Sequence, residues 1–217
     1  MTAAQPDKPV TEGVSSLEVR WIYPGQASTA VADWLERFPA GVESREDAYL
    51  IDPQLRGLSV KIRGGGALEV KAYRGSPGVL EVTGRARGRM ESWQKWSFPC
   101  VPLNQGSAGL ASWQPVHKRI SSISLINGQV QAHAPGPRAL PGCMVELTEV
   151  HTRGEAWWTM GLEATGPPGL LRDELEAAAA FVVAQALPDG MELDTGHCQS
   201  YAQWLCRQPP APTGAGA

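Results

Sequence analysis

Apolar and polar residues alternate most regularly in LSVKIRGGGALEVKAYR, residues 58–74. Leu58, Val60 and Ile62 alternate with Ser59, Lys61 and Arg63. Beyond three glycines, Leu68, Val70 and Ala72 alternate with Glu69, Lys71 and Tyr73. A period of two marks a strand with one apolar face, and a glycine-rich turn between two such runs makes a hairpin. The charged face then either meets water or lines a polar interior. In the second case Lys61, Arg63 and Lys71 form a site.

The same pattern predicts most of the remaining elements. SSLEVRWIYP is a first strand, stopped by Pro24 and Gly25. ASTAVADWLERFP sets Ala27, Val31, Trp34, Leu35 and Phe38 at helical spacing, with Ser28 or Thr29 as cap and Pro39 as stop. EDAYLIDP is a strand. GVLEVTGRARGRMESWQKWSFP holds one or two more, with Arg85, Arg87, Arg89, Glu91, Trp93 and Lys95 in its polar register. VPLNQGSAGLASWQP is a loop or a short helix around 108–113. VHKRISSISLING is a strand turning at Asn127-Gly128, a strong hairpin signal; QVQAHAPGPRALPG begins as its return strand and becomes loop. CMVELTEVHTRGEAWWTMGLEATG is another hairpin, turning near Arg153-Gly154. The period then changes. LLRDELEAAAAFVVAQAL carries Leu171, Leu175, Ala178, Val182 and Ala186 as a helical stripe, and CQSYAQWLCR is a short last helix. Residues 1–14 read as a disordered arm, 15–207 as one domain and 208–217 as a disordered tail. The order of strand, helix, many strands, helix, helix is α+β with a dominant antiparallel sheet.

Composition narrows the function. The chain has 217 residues, 42% of them hydrophobic, with eight Trp and a net charge of -3. No basic excess drives it onto nucleic acid. No apolar run reaches the ~18 residues of a membrane span, and the N-terminus lacks the apolar core of a signal peptide, so the expected compartment is the cytoplasm. Cys100, Cys143, Cys198 and Cys206 match no zinc spacing and read as reduced structural thiols. No Gly-x-Ser-x-Gly elbow, His-Glu-x-x-His pair or dinucleotide fingerprint is present, and Gly64, Gly65 and Gly66 are not followed by the Lys-Ser/Thr of a phosphate loop. No catalytic residue and no organic cofactor is indicated.

The layout resembles the CYTH superfamily, the triphosphate tunnel metalloenzymes. SLEVR stands where that family has Glu-x-Glu-x-Lys; residues 58–74 resemble its central basic hairpin; VHKR resembles a later basic strand; VELTEVHTRGEAWWTMGLEATG resembles the late acidic hairpin, and SYAQWL its terminal helix. The resemblance implies an antiparallel eight-stranded tunnel barrel, open at both ends, with helices packed outside and a polar lumen. In it, Arg20, Lys61, Arg63, Lys71 and Arg119 would contact phosphates, and Glu18, Glu146 and Glu163 would hold Mg²⁺ or Mn²⁺. Arg offers bidentate hydrogen bonds to phosphate and Lys a point charge, while hard cations take carboxylates and water.

This chain departs from the family pattern. Ser16, Thr148 and Gly161 fall where second acids are expected, so each of three acidic pairs has lost a member. Two carboxylates at i and i+2 lie ~6–7 Å apart on one strand face; single ones hold a cation weakly. The expected function is binding of a polyphosphate or nucleotide-like phosphorylated small molecule, with weak or absent metal-dependent hydrolysis. An active metal-dependent triphosphatase and a non-catalytic protein-interaction barrel are the alternatives. Simpler roles stand beside these: a solvated face for Lys61, Arg63 and Lys71, salt bridging for the three glutamates, surface positions for His117, His133, His151 and His197, an exposed strand face for Arg85, Arg87 and Arg89, and core packing or covering of the barrel mouth for Trp93, Trp96, Trp157 and Trp158.

Overall fold

The computed structural model describes residues 13–38, 40–55, 57–64, 66–100, 113–131, 141–184 and 186–208. Residues 1–12, 101–112, 132–140 and 209–217, on which most of the expected disordered arm over 1–14, the expected loops and the expected tail over 208–217 fall, lie outside the described residues; Val14 already belongs to the first strand.

Alternating sequence becomes long antiparallel strands. β1 is Val14–Pro24, β2 Gly41–Leu50, β3 Leu58–Arg63, β4 Ala67–Gly75, β5 Val79–Val82, β6 Ala86–Arg89, β7 Glu91–Pro99, β8 Trp113–Ile126, β9 Gln129–Gln131, β10 Gly142–Thr152 and β11 Glu155–Thr165. The main sheet runs β10-β11-β1-β7-β4-β3-β2-β8-β9, and β8 also pairs with β10 from Cys143↔Leu125 to His151↔His117. That pairing closes an eight-stranded antiparallel barrel, with β9 extending one end of β8. A closed ring leaves none of its eight strands as an open edge. β5 and β6 form a separate hairpin against the outer face of β1. There Gly88 lies so close that a Cβ would stand 2.5 Å from Val19 Cγ2 and 2.7 Å from the Trp21 ring.

Turns follow the residues that favour them. Asn127 and Gly128 both have positive φ, as do Arg153 and Gly154, the conformation of tight hairpin turns. The β8–β9 turn is tied from outside: Glu174 accepts from the Asn127 backbone N–H at 2.9 Å.

The strand period divides the two faces. Leu17, Val19, Trp21 and Tyr23 of β1 point outward, with Ile123 and Leu125 of β8, Val145 and Leu147 of β10, and Met160 and Leu162 of β11. Two helices cover them. α1 is Thr29–Glu36, N-capped by the Ser28 side chain, and buries Val31, Trp34 and Leu35. α2 is Leu171–Ala184 and buries Leu171, Leu175, Ala178 and Val182; Ala186 lies beyond its end and is exposed. Tyr23 stacks on Trp158 in this layer, centroids 4.0 Å apart. Apolar burial here is the main driving force for the fold.

α3, Tyr201–Arg207, behaves differently. Its Trp204 and Leu205 are buried with Ile22, Tyr49, Val116 and Val150, residues that face the inside of the barrel at one rim. Trp157 meets Trp204 edge-on at 5.2 Å. α3 therefore closes one mouth. The resemblance implied a tunnel open at both ends with helices outside; α1 and α2 keep to that, whereas the apolar inner rim gives α3 a seat that a fully polar tunnel would not.

Candidate functional site

The inner face carries the charge. Parity places Ser16, Glu18 and Arg20 of β1 inward, with Arg45, Asp47 and Tyr49 of β2, Lys61 and Arg63 of β3, Glu69 and Lys71 of β4, Glu91, Trp93 and Lys95 of β7, Lys118 of β8, Glu146 and Thr148 of β10, and Thr159, Gly161 and Glu163 of β11. The charged face of the opening hairpin thus turns to the interior.

These side chains form three linked groups. In the first, Asp47 is fully buried and accepts from Lys118 at 2.9 Å, Arg45 at 3.1 Å and Lys61 at 3.2 Å. Burial pushes its carboxyl up, but Lys61, Lys118 and Arg45 together hold it well below the usual range. Lys118 also donates to the Tyr49 hydroxyl at 2.7 Å and lies 4.1 Å from the Tyr201 ring centroid. Burial lowers the Lys118 ammonium, and Lys61 beside it adds to that shift.

In the second group Glu69 accepts from Lys61 at 3.1 Å and Arg63 at 3.2 Å. Burial would raise Glu69, yet Lys61 and Arg63 hold it down to about 2. In the third, Lys71 donates to Glu18 and, at 3.3 Å, to Glu163, while Lys95 stands 3.7 Å from Glu163. Ser16 donates to Glu18 at 2.7 Å. Arg20 donates to Thr159 at 2.9 Å and to Glu146 at 3.0 Å, and lies 4.8 Å from the Tyr201 ring centroid.

Charge recurs at alternate positions on most of these strands because much of the outer face is apolar and packs under α1 and α2; β2 and β8 also carry charge on the outer face, at Glu46 and Arg119. A barrel of this size fills its interior with side chains, and here they are ion pairs and their aromatic neighbours. The chain is thus a closed, eight-stranded antiparallel barrel with a charged lumen.

No family model and no curated protein matches the chain. Among solved structures it is similar to the PH1012 protein of Pyrococcus horikoshii OT3, at 16% identity and a TM-score of 0.42 over 78% of this chain and 92% of that one. It is also similar to the Mimivirus capping enzyme triphosphatase, at 12% identity and 0.40 over 78% and 89%. A third is the S. pombe Pct1 RNA triphosphatase in complex with the Spt5 CTD, at 11% and 0.36 over 85% and 78%. Likeness at this level says nothing about the lumen.

Of the residues expected to meet phosphate, Arg20, Lys61, Arg63 and Lys71 share the tunnel. Arg119 does not: it lies on the outer face, half exposed, and pairs with Glu149 at 3.0 Å. Its neighbour Lys118 takes the inward position. The VHKR register misleads because Val116 and Ile120, which share the face of Lys118, are themselves apolar and buried, and Val116 lies in the rim under α3. Arg45, Asp47 and Lys95 were not singled out as site residues. On β2 the outer face is as polar as the inner one, with Ser44 and Glu46, so no alternation flags Arg45 or Asp47.

Glu18, Glu146 and Glu163, expected as metal ligands, all face inward, but cations are already seated on them. Among the described residues no group of three or more His, Cys, Asp or Glu side chains stands together as a metal site. Gly161, expected where a second acid had been lost, is the seat of Arg20: a Cβ there would lie 2.6 Å from the guanidinium carbon. The donor set as arranged does not fit Mg²⁺ or Mn²⁺. His117 pairs with Glu46 and His197 with Asp194 at the surface; Arg87 is exposed, and Arg89 bridges Glu91 and Gln203. No disulfide joins the described cysteines, and among the described residues no helix is long and apolar enough to cross a membrane.

The depressed carboxyls fix the acid limb of stability. A group whose folded pKa lies below its unfolded value contributes above the unfolded value and loses that contribution as pH falls through the folded one. For Glu69 that window runs from its ordinary 4.5 down to about 2, and Asp47, Glu146 and Glu163 are shifted in the same direction. The melting temperature is expected to fall steadily from about pH 4.5 towards pH 2, with a shallower fall in Glu69→Gln. A wild-type melting temperature flat across that range would show that these ion pairs do not persist in solution.

Proposed function

We propose that the tunnel binds a short polyphosphate, or the phosphate chain of a nucleotide-like small molecule, entering from the end opposite α3, without metal-dependent hydrolysis. The observation that supports this is the convergence of Arg20, Arg45, Lys61, Arg63, Lys71, Lys95 and Lys118 on one lumen. Arg63, with its side chain 40% exposed, and Lys95, at 23%, are the most accessible of them. They lie towards the rim away from α3 and would take the first phosphates. Lys61 and Lys71 follow, each already sharing a carboxylate that an incoming anion must displace. Arg20 and Lys118 lie deepest, under Tyr201. Hydrolysis needs cations fixed on a transition state of spreading charge, and the glutamates that would fix a metal are occupied.

Calorimetric titration with tripolyphosphate at low ionic strength tests the reading. Wild type is expected to bind, more weakly as salt rises. Arg63→Glu should lower affinity by at least about tenfold, since a carboxylate then faces the anion; the half-exposed site makes loss of folding an inadequate explanation. Phosphate release in Mg²⁺ or Mn²⁺ should stay at background. A second reading has its own support: the carboxylates pair with most of the lumen cations, and two cavities among the described residues, of about 180 and 350 Å³, lie outside the lumen and are lined by none of those cations. A folded wild type that gives no heat with any polyphosphate would leave the non-catalytic interaction barrel as the reading.

A further inference from the structure

We infer that Lys71 and Lys95 stand in for a divalent cation between Glu18 and Glu163, making the barrel independent of metal. Glu18 and Glu163 are direct register partners across β1 and β11 and share the inner face. Like charges placed opposite one another on a sheet repel, so something positive has to sit between them. Lys71 does so, donating to Oε1 of both. Its own register partner across β4 and β7 is Lys95, which approaches Glu163 Oε1 at 3.7 Å. Two ammonium groups bring two positive charges to two carboxylates, the charge a divalent cation would bring. The surrounding oxygens are of the hard type such a cation takes, with the Ser16 hydroxyl 2.7 Å from Glu18 completing the set. Glu146 is held apart by Arg20, and Gly161 leaves room for that guanidinium.

The inference concerns metal alone and does not depend on phosphate binding, so the test contains only protein and Mn²⁺. The free Mn²⁺ spin-resonance signal and the melting temperature are followed together. Wild type should leave the signal unchanged and show no thermal shift, and Lys71→Arg, which keeps the charge, should behave alike. Lys71→Met combined with Lys95→Met uncovers the two carboxylates. That variant should be less stable in chelator and gain roughly 5–10 °C at saturating Mn²⁺, and adding Glu163→Gln should remove the gain. Wild-type binding of Mn²⁺ that Glu18→Gln abolishes would overturn the inference, as would a folded double variant that takes up no metal. If the double variant does not fold, wild type and Lys71→Arg decide: loss of the free Mn²⁺ signal in either, restored by Glu18→Gln, refutes the substitution, and an unchanged signal in both supports it.

Discussion

Asp47→Asn should destabilise the protein by about 3–5 kcal/mol, the range for breaking a buried ion pair by removing one partner. The carboxylate is fully buried and is shared by Arg45, Lys61 and Lys118. Lys61 keeps Glu69 and Arg45 keeps Glu43 when Asp47 is gone. Lys118 keeps only the Tyr49 hydroxyl and the faces of Tyr49 and Tyr201. Its ammonium is already disfavoured by burial, so in the variant it should shed its proton more readily still. The sign follows from linkage. A lysine whose folded pKa lies below its unfolded value binds fewer protons folded than unfolded, so stability rises with pH between the two values. Chemical denaturation across pH 6 to 10 should show that rise starting at lower pH in Asp47→Asn than in wild type. A loss under about 1 kcal/mol, the scale of exposed pairs, would mean that water reaches this end of the tunnel and screens it.

The sequence carried the barrel because the outer face of most strands is apolar for several residues in a row. The pairs Val60/Ile62 and Leu68/Val70 declared the central hairpin, and Glu18, Glu146 and Glu163 fell on the inner face with Ser16, Thr148 and Gly161 as the spacing required. Alternation locates a face; it does not say what fills it. Alternation favours Arg119 over Lys118 because the apolar Val116 and Ile120 share the face of Lys118, and Val116 is there because α3 covers it. Asp47 was invisible because β2 is polar on both sides. Gly161 looked like a lost acid, and only the path of Arg20 across it gives the reason for a residue without a Cβ. In each case the missing information was long-range: which side chain arrives from another strand or from the C-terminal helix.

Trp204→Ala should be the most damaging change in α3, costing about 3–5 kcal/mol as a large buried aromatic truncated in place. Trp204 is 1% exposed and packs on Trp157, Tyr201, Ile22 and Val150 in the closed mouth. A seven-residue helix has no stability of its own. It is held by this ring, by Gln199 donating to the Arg20 carbonyl at 2.9 Å, and by Arg153 donating to the Gln208 carbonyl at 2.8 Å. The loss should therefore show first as local release: hydrogen exchange should quicken over 201–207 while β1, β10 and β11 stay protected. Trp204→Phe makes the informative contrast. The indole N–H of Trp204 is buried without a partner, an arrangement that costs about 1–3 kcal/mol. Phe discards that donor and keeps an aromatic edge towards Trp157. Its loss of stability should stay within about 1–2 kcal/mol, well short of the alanine change. If Trp204→Phe is as damaging as Trp204→Ala, the indole N–H has a partner in solution, and the closed mouth is wetter than its apolar lining indicates.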